Sequence, residues 1–378
     1  MPRLVVLLEQ LLAPVPGGTG RYSRELTAAL VATAPAGWTV GSAVARHSDP
    51  TPAVLPGVDG PALLPLPRQA LIAAWDAGVP LWPGGDTVHA PTPLAPPAAR
   101  RGRGLVVTVH DTVPWSHPGT LTRRGAGWHR RVIGRAAQRA GALVVPTAVV
   151  ASELSRHVSG PARVHVVGEG VTAAVVDPPD PQRSAEIAGR LGLPPRYVLA
   201  IGTLEPRKGL DVLLDALAHP HAPELPLVQV GQRGWGTVDM PAAARHAGLD
   251  PERVLMLGRV SDAELAVVLH RAAVLAVPSR AEGFGLPVLE AMASGIPVVH
   301  SDAPALVEVA GGAGLTVKRD DPAALAAALR AVVSDPGRAE AMVSAGRHRA
   351  QRFSWERTAQ QVWSVHLELY RLRSSTTG

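Results

Sequence analysis

Short apolar runs alternate with segments of helical period almost from end to end of this sequence, and the runs are apolar on successive residues rather than on every second one. RLVVLLE, GLVVTVHD, ALVVPT and RVHVVGEG come first. RYVLAIGT, LPLVQVG, RVLMLGRV, AVLAVPS and PVVHSD follow, separated by Ala- and Leu-rich stretches such as RYSRELTAALVATA and LDVLLDALA. A strand apolar on both sides must be covered on both faces, which points to parallel sheets flanked by helices. The alternation breaks once, at DPPDPQR (residues 177–183), a proline-rich stretch poor in apolar residues, and then restarts. A chain of 378 residues also exceeds what one ordinary core serves. The predicted fold class is α/β, with two doubly wound Rossmann-like domains over residues 1–176 and 177–354, and a C-terminal helix and tail over 355–378. That helix is predicted to open after Ser354 as N-cap and to display Val362, Trp363, Leu367 and Tyr370.

Composition removes several classes. Hydrophobic residues are 46% and charged residues 18%, far from a disordered profile. The absence of cysteine excludes disulfides, zinc-thiolate sites and a cysteine nucleophile. The first apolar run is broken by Glu9 and Gln10 and reads as a strand. With no 18 uninterrupted apolar residues, no bilayer-spanning helix is expected, so the expected location is cytoplasmic or peripheral on the inner face of the cell membrane.

Charge is uneven. Residues 1–178 carry 16 basic and 10 acidic residues, whereas residues 179–378 carry 21 of each. Arg124, Arg131, Arg135 and Arg139 fall on one face of a predicted helix whose other side offers Val132, Ile133, Ala136 and Ala140. A solvated face ranks slightly ahead of docking on an anionic membrane surface. Nucleic acid is not expected as a partner, since no aromatic-interleaved basic motif accompanies the arginines.

Doubly wound domains bind ligands at the carboxyl ends of their strands. Residues 17–20 (GGTG) follow the first strand, His110 and Asp111 follow GLVVTV, Glu205, Arg207 and Lys208 follow VLAIGT, and Glu282 follows AVLAVPS. The two cations of GTLEPRKG suit a diphosphate, with a solvated surface turn as the alternative. Lys208 is the only lysine among the first 317 residues, which favours a specific role. SRAEGFGLPVLEAMASGIPVV (residues 279–299) holds Glu282 and Glu290 in an otherwise almost apolar segment. Pro287 fits the first turn of a helix there, so Glu282 can reach sugar hydroxyls and Glu290 a ribose diol. The alternative has Glu282 complementing the helix dipole and Glu290 solvated.

The E-x7-E element within GFGLPVLEAMASGIPVV, together with GTLEPRKG, LGRVSDAELAVVLHRAAVLAVPS and RFSWERTA, resembles the retaining family-4 glycosyltransferases of the GT-B fold over nearly the whole chain. VHDTVPWSHP is similar to a branch rich in mannosyltransferases that use GDP-mannose. The resemblance implies an acceptor-side first domain and a donor-binding second domain facing a central cleft, with the C-terminal helix crossing back to the first. Arg207 and Lys208 would hold the donor diphosphate and Glu290 the ribose. Glu282 and the backbone at Phe284, Gly285 and Leu286 would hold the donor sugar. Gly18 would approach the phosphates or acceptor, His110 would contact the transferred sugar, and Asp111 would orient His110 or cap the next turn. Two positions depart from the family pattern: Glu169-Gly170-Val171-Thr172 stands where N-G-V-D is usual, and Thr147 where serine is usual.

The implied reaction moves a hexosyl group, mannosyl from GDP-mannose first, to a glycan or lipid-linked acceptor with retention. The nucleotide sugar is a co-substrate, and no further cofactor is expected. With no D-x-D in the sequence, no metal is expected either. A UDP-sugar donor, a sugar-nucleotide epimerase, a phosphorylase and a non-catalytic nucleotide-sugar-binding subunit stay open. A nicotinamide dehydrogenase fits poorly, because Gly18-Thr19-Gly20 is followed at the third position by Ser23.

Overall fold

The computed structural model describes residues 1–233 and 239–374. They form two compact units, one of residues 1–170 with 354–378 and one of residues 171–353. The first holds a seven-stranded sheet: β1 (Arg3–Leu7), β2 (Thr39–Val44), β3 (Asp59–Leu63), β4 (Thr87–Ala90), β5 (Gly104–Thr108), β6 (Ala142–Val145) and β7 (Arg163–Val166), in the order β3-β2-β1-β4-β5-β6-β7. The second holds six: β8 (Val198–Ile201), β9 (Leu227–Val230), β10 (Val254–Gly258), β11 (Val274–Val277), β12 (Val298–Ser301) and β13 (Leu315–Val317), in the order β10-β9-β8-β11-β12-β13. Every pairing among the described residues is parallel.

The unbroken apolar runs have a direct packing reason. In the second unit Leu199, Val228, Leu275 and Val298 join one core with Val288, Leu289 and Met292 of the helix Leu286–Ala293. Their chain neighbours Val198, Leu227, Val274 and Val299 join a second core with Leu213, Leu217, Leu325 and Leu329. Consecutive side chains of a strand point to opposite faces, so both faces must be apolar when helices cover both. In the first unit Val5, Val88, Val107 and Leu143, from four neighbouring strands, meet Ile133 and Ala137 of the helix Arg123–Arg139.

That helix bears the arginines singled out in the sequence, and its surface is less free than the charge pattern implies. Arg131 pairs with Asp76 through its Nε at 3.0 Å, and Arg135 donates to the Asp76 carbonyl at 2.7 Å. Asp76 ends the helix Arg68–Asp76, where cations are favoured by the exposed carbonyls and the dipole. Arg124 and Arg139 are exposed.

The helix Trp355–Ser374 belongs to the first unit and packs against the helix Gly17–Ala32. Ser354 Oγ accepts from the Arg357 amide at 3.2 Å, an N-cap bond. Val362 and Trp363 are buried, Leu367 and Tyr370 are half-buried, and Trp363 Nε1 donates to the Leu30 carbonyl at 3.0 Å. His366, on the same helix, is also fully buried. Its Nε2 lies 3.2 Å from His89 Nδ1, and His89 Nε2 lies 3.1 Å from Thr108 Oγ1. Burial, with a smaller contribution from His110, pulls His89 down to about 3, and burial holds His366 well below its ordinary value.

Both histidines are therefore neutral when folded, and the unfolded chain binds protons that the native state does not. Their contribution is complete above pH 6.5 and is lost as pH falls below it. Unfolding of the first unit can be followed by tryptophan fluorescence, because seven of the eight tryptophans lie in it. Between pH 6.5 and 5 its stability is expected to drop by up to about 1.4 kcal/mol per pH unit for each histidine. His366→Gln should roughly halve that slope; a flat profile in the wild type would contradict it.

Candidate functional site

Strand order in each sheet reverses direction between two neighbours, at β1/β4 in the first and β8/β11 in the second. There the following segments leave to opposite sides, and in doubly wound folds the carboxyl ends of the strands at such a reversal are where ligands bind. The sequence-selected residues of the second unit sit in the two segments that leave β8 and β11.

After β8 the chain runs through Gly202 and Thr203 into a single turn of 3-10 helix, Pro206–Lys208. Gly209 ends that turn at φ +65°, and a Cβ there would lie 2.2 Å from the Pro278 carbonyl oxygen. Only glycine permits both the left-handed backbone and the approach, and the turn is thereby pressed against the end of β11. The Arg280 amide donates to the Arg207 carbonyl at 2.7 Å, and the Arg280 guanidinium donates to the Pro206 carbonyl and to Asp211.

The side chains converge on Glu282. Lys208 Nζ donates to Glu282 Oε1 at 2.7 Å, Ser279 Oγ donates to the same oxygen at 2.7 Å, and Arg207 Nη1 donates to Oε2 at 3.2 Å. Arg207 Nε donates to Glu205 Oε2 at 2.9 Å, and Thr203 Oγ1 donates to Glu205 Oε1 at 2.6 Å. Burial pushes the Glu282 carboxyl up, but the charges of Lys208 and Arg207, with hydrogen bonds from Lys208 and Ser279, outweigh it and bring the group down to about 2. Arg207, Lys208 and Glu282 side chains are all at least four-fifths buried. A buried cation pair matched by two carboxylates can exchange those partners for a polyanion without leaving its charge uncompensated.

Beyond Glu282 the chain passes buried Phe284 and reaches Gly285, the N-cap of the helix Leu286–Ala293, at φ +106°. Pro287 lies in the first turn and leaves no amide there to satisfy. Glu290, one turn further, is 2% exposed. The alternative of a solvated Glu290 therefore fails.

In the first unit His110 lies just beyond β5. Its Nε2 is 2.8 Å from the Pro91 carbonyl oxygen, and the Tyr22 ring meets it edge-on at 4.6 Å between centroids. Asp111 Oδ1 accepts from the Val113 amide at 3.1 Å, so of its two expected uses the structure displays turn capping. Gly18 is the exposed second residue of the helix Gly17–Ala32. Thr147 accepts from the Val150 amide at 3.2 Å and caps the helix Ala148–Ser155, a bond that serine makes equally well. Glu169, marked in the sequence only as a departure, is buried with Oε1 3.5 Å from His110 Nδ1. Ser279 and Glu169 carry no sequence signal for these contacts beyond their position after a strand.

Residues 16–175 match the family model described as Glycosyltransferase Family 4, and residues 195–335 match the model described as Glycosyl transferases group 1. The O-antigen chain mannosyltransferase B of Escherichia coli is 36% identical over 173 residues, 45% of each chain. The D-inositol 3-phosphate glycosyltransferase of Jonesia denitrificans is 33% identical over 265 residues, 66% of this chain and 62% of that protein. The matched parts thus span from under half to about three-fifths of those relatives' own length. Among solved structures, the sucrose-phosphate synthase of Thermosynechococcus elongatus superposes with a TM-score of 0.79 at 24% identity, covering 98% of this chain and 100% of that one.

Lys208→Met keeps the stem that packs near Gly202 and deletes the charge, leaving one buried Glu282 oxygen to Ser279 alone. Urea unfolding of the second unit at pH 7 should show a loss of about 1–3 kcal/mol, the cost of an under-satisfied buried group.

Proposed function

We propose, because the chain belongs to the family-4 glycosyltransferases of the GT-B fold, that it transfers a mannosyl group from GDP-mannose to a hydroxyl of a glycan or lipid-linked acceptor with retention of anomeric configuration. What carries the reading is the buried cluster of Arg207, Lys208 and Glu282 at the β8/β11 reversal. The choice of mannose rests on the VHDTVPWSHP segment and on the relative named as a mannosyltransferase.

In this reading the donor diphosphate takes over the donors of Arg207 and Lys208. Glu282, released from them, accepts from hydroxyls of the donor sugar, and the backbone of Phe284, Gly285 and Leu286 lines the same end of the unit. Glu290 accepts from the ribose hydroxyls. The bond from the anomeric carbon to the diphosphate oxygen breaks while the acceptor oxygen bonds to the same face of that carbon, and the acceptor proton passes to the departing phosphate oxygen. Negative charge grows on the diphosphate through this step, where Arg207 and Lys208 stabilise it. Fixed cations supply that stabilisation without a metal ion, so transfer is expected to survive EDTA. In the first unit His110 contacts the transferred sugar and Gly18 the phosphates or the acceptor. Attachment to anionic membrane has support from the exposed Arg124 and Arg139 only, since Arg131 and Arg135 are engaged at Asp76.

A melting screen over GDP-, UDP-, ADP- and dTDP-hexoses identifies the donor, since ligand at 100 times its Kd stabilises the folded state by about 2.7 kcal/mol. GDP-mannose should give the largest rise; a larger response to a UDP-hexose would overturn the donor assignment. Arg207→Ala and Lys208→Ala should each reduce kcat on the order of 100-fold or more. Glu290→Ala should chiefly weaken nucleotide binding. Equal nucleotide affinity for wild type and Glu290→Ala would remove its ribose role, and an inverted product by NMR would remove retention.

A further inference from the structure

The first unit contains a buried carboxylate that the roles above leave unused. Glu169 follows β7 and is 5% exposed, with Oε1 3.5 Å from His110 Nδ1. The other ring nitrogen, Nε2, faces the Pro91 carbonyl oxygen at 2.8 Å. A carbonyl oxygen and a carboxylate both accept and neither donates, so the imidazole satisfies both only with a proton on each nitrogen. Tyr22, packed edge-on at an interplanar angle of 88°, fixes the ring plane that makes the two contacts simultaneous.

We propose that Glu169 is a positioning residue that holds His110 as an imidazolium. This rests on the reading above, in which His110 contacts the transferred sugar. Both N–H groups are then engaged, at Glu169 and Pro91, so the charged ring acts on a sugar oxygen through its positive field, in one fixed orientation, an attraction that a neutral ring lacks.

The charged and titratable groups around His110 agree on the direction. Burial opposes the charge, and His89 on β4 stays neutral beneath it; Glu169 and Asp111 favour it, as does the Pro91 carbonyl, and the net shift is upward. Tyr22 is held protonated by burial and bonded to Thr108 Oγ1 at 3.2 Å, so it adds no charge. On the C-terminal helix, Trp355 packs on Tyr22, and His366 meets His89 rather than His110. Because the folded value is raised, the active charged form is present below it and is lost as pH rises through it.

The test compares Glu169→Gln with wild type in two measurements on the full chain. The first is the pH profile of kcat/KM, and the second is the NMR titration of His110 Cε1–H, assigned by its disappearance in His110→Gln. Glutamine keeps the size and an acceptor for Nδ1 and removes only the charge. The high-pH limb and the NMR midpoint should both move down by about one unit or more. Above the wild-type limb that is roughly a tenfold loss of activity, with little change where both forms are protonated. Glu169→Asp should recover part of the shift. An equal loss at every pH, an unchanged midpoint in Glu169→Gln, or a wild-type midpoint below 6.5 would overturn the proposal, and the last needs no Glu169 variant to fold. If the NMR midpoint moves as stated while no nucleotide sugar supports transfer, the tie between Glu169 and His110 stands and the transferase reading falls instead.

Discussion

Parallel pairing in both sheets is the constraint from which the rest follows. It brings the carboxyl ends of all strands out along one edge of each sheet, so every strand-following segment begins on the same side. Where strand order reverses, two such segments part, and in the second unit these are the segments of Lys208 and Glu282. Seventy-four residues separate them in sequence, and the ion pair closes that separation at 2.7 Å. The pair depends on the sheet twice, for the proximity of its partners and for the low-polarity surroundings that strengthen their attraction.

Burying such a group requires that each polar atom find a partner locally. Glu282 meets this with Lys208, Arg207 and Ser279, and Arg207 is shared with Glu205. Removing two ions from water is costly, and a pair of this kind is weak evidence for stability alone. Its retention fits a site that must exchange internal counter-ions for those of a ligand. Gly209 and the Arg280 amide serve the same end, since both fix where the cation turn rests against β11.

The fold was legible because helix-covered parallel strands leave a strong mark on the text: Val198 and Leu199, or Val274 and Leu275, are adjacent apolar residues claimed by two different cores. Much of the candidate site was legible for a related reason, since charged residues directly after such runs have few purely structural uses. What escaped was of two kinds. His366 was hidden because a helical pattern assigns burial to apolar residues, whereas this imidazole is buried through His89, a partner 277 positions away. Glu169 was visible only as a departure, because a contact between segments following β5 and β7 is decided by the sheet and not by local spacing. The basic helix is the converse case. Its arginines were correctly placed on one face, but the Asp76 that occupies two of them comes from another element.

The first unit is built from two separated stretches, with residues 171–353 between them. During synthesis the intervening unit is therefore entirely outside the ribosome before the helix Trp355–Ser374 can dock. Until then the helix Gly17–Ala32 has no cover for the side that Trp363 later seals, and the carbonyl of Leu30 has not met the indole. Of these two units, the one begun earlier is thus the one completed later, and the interval during which its apolar flank is open is never shorter than the time taken to synthesise the insert.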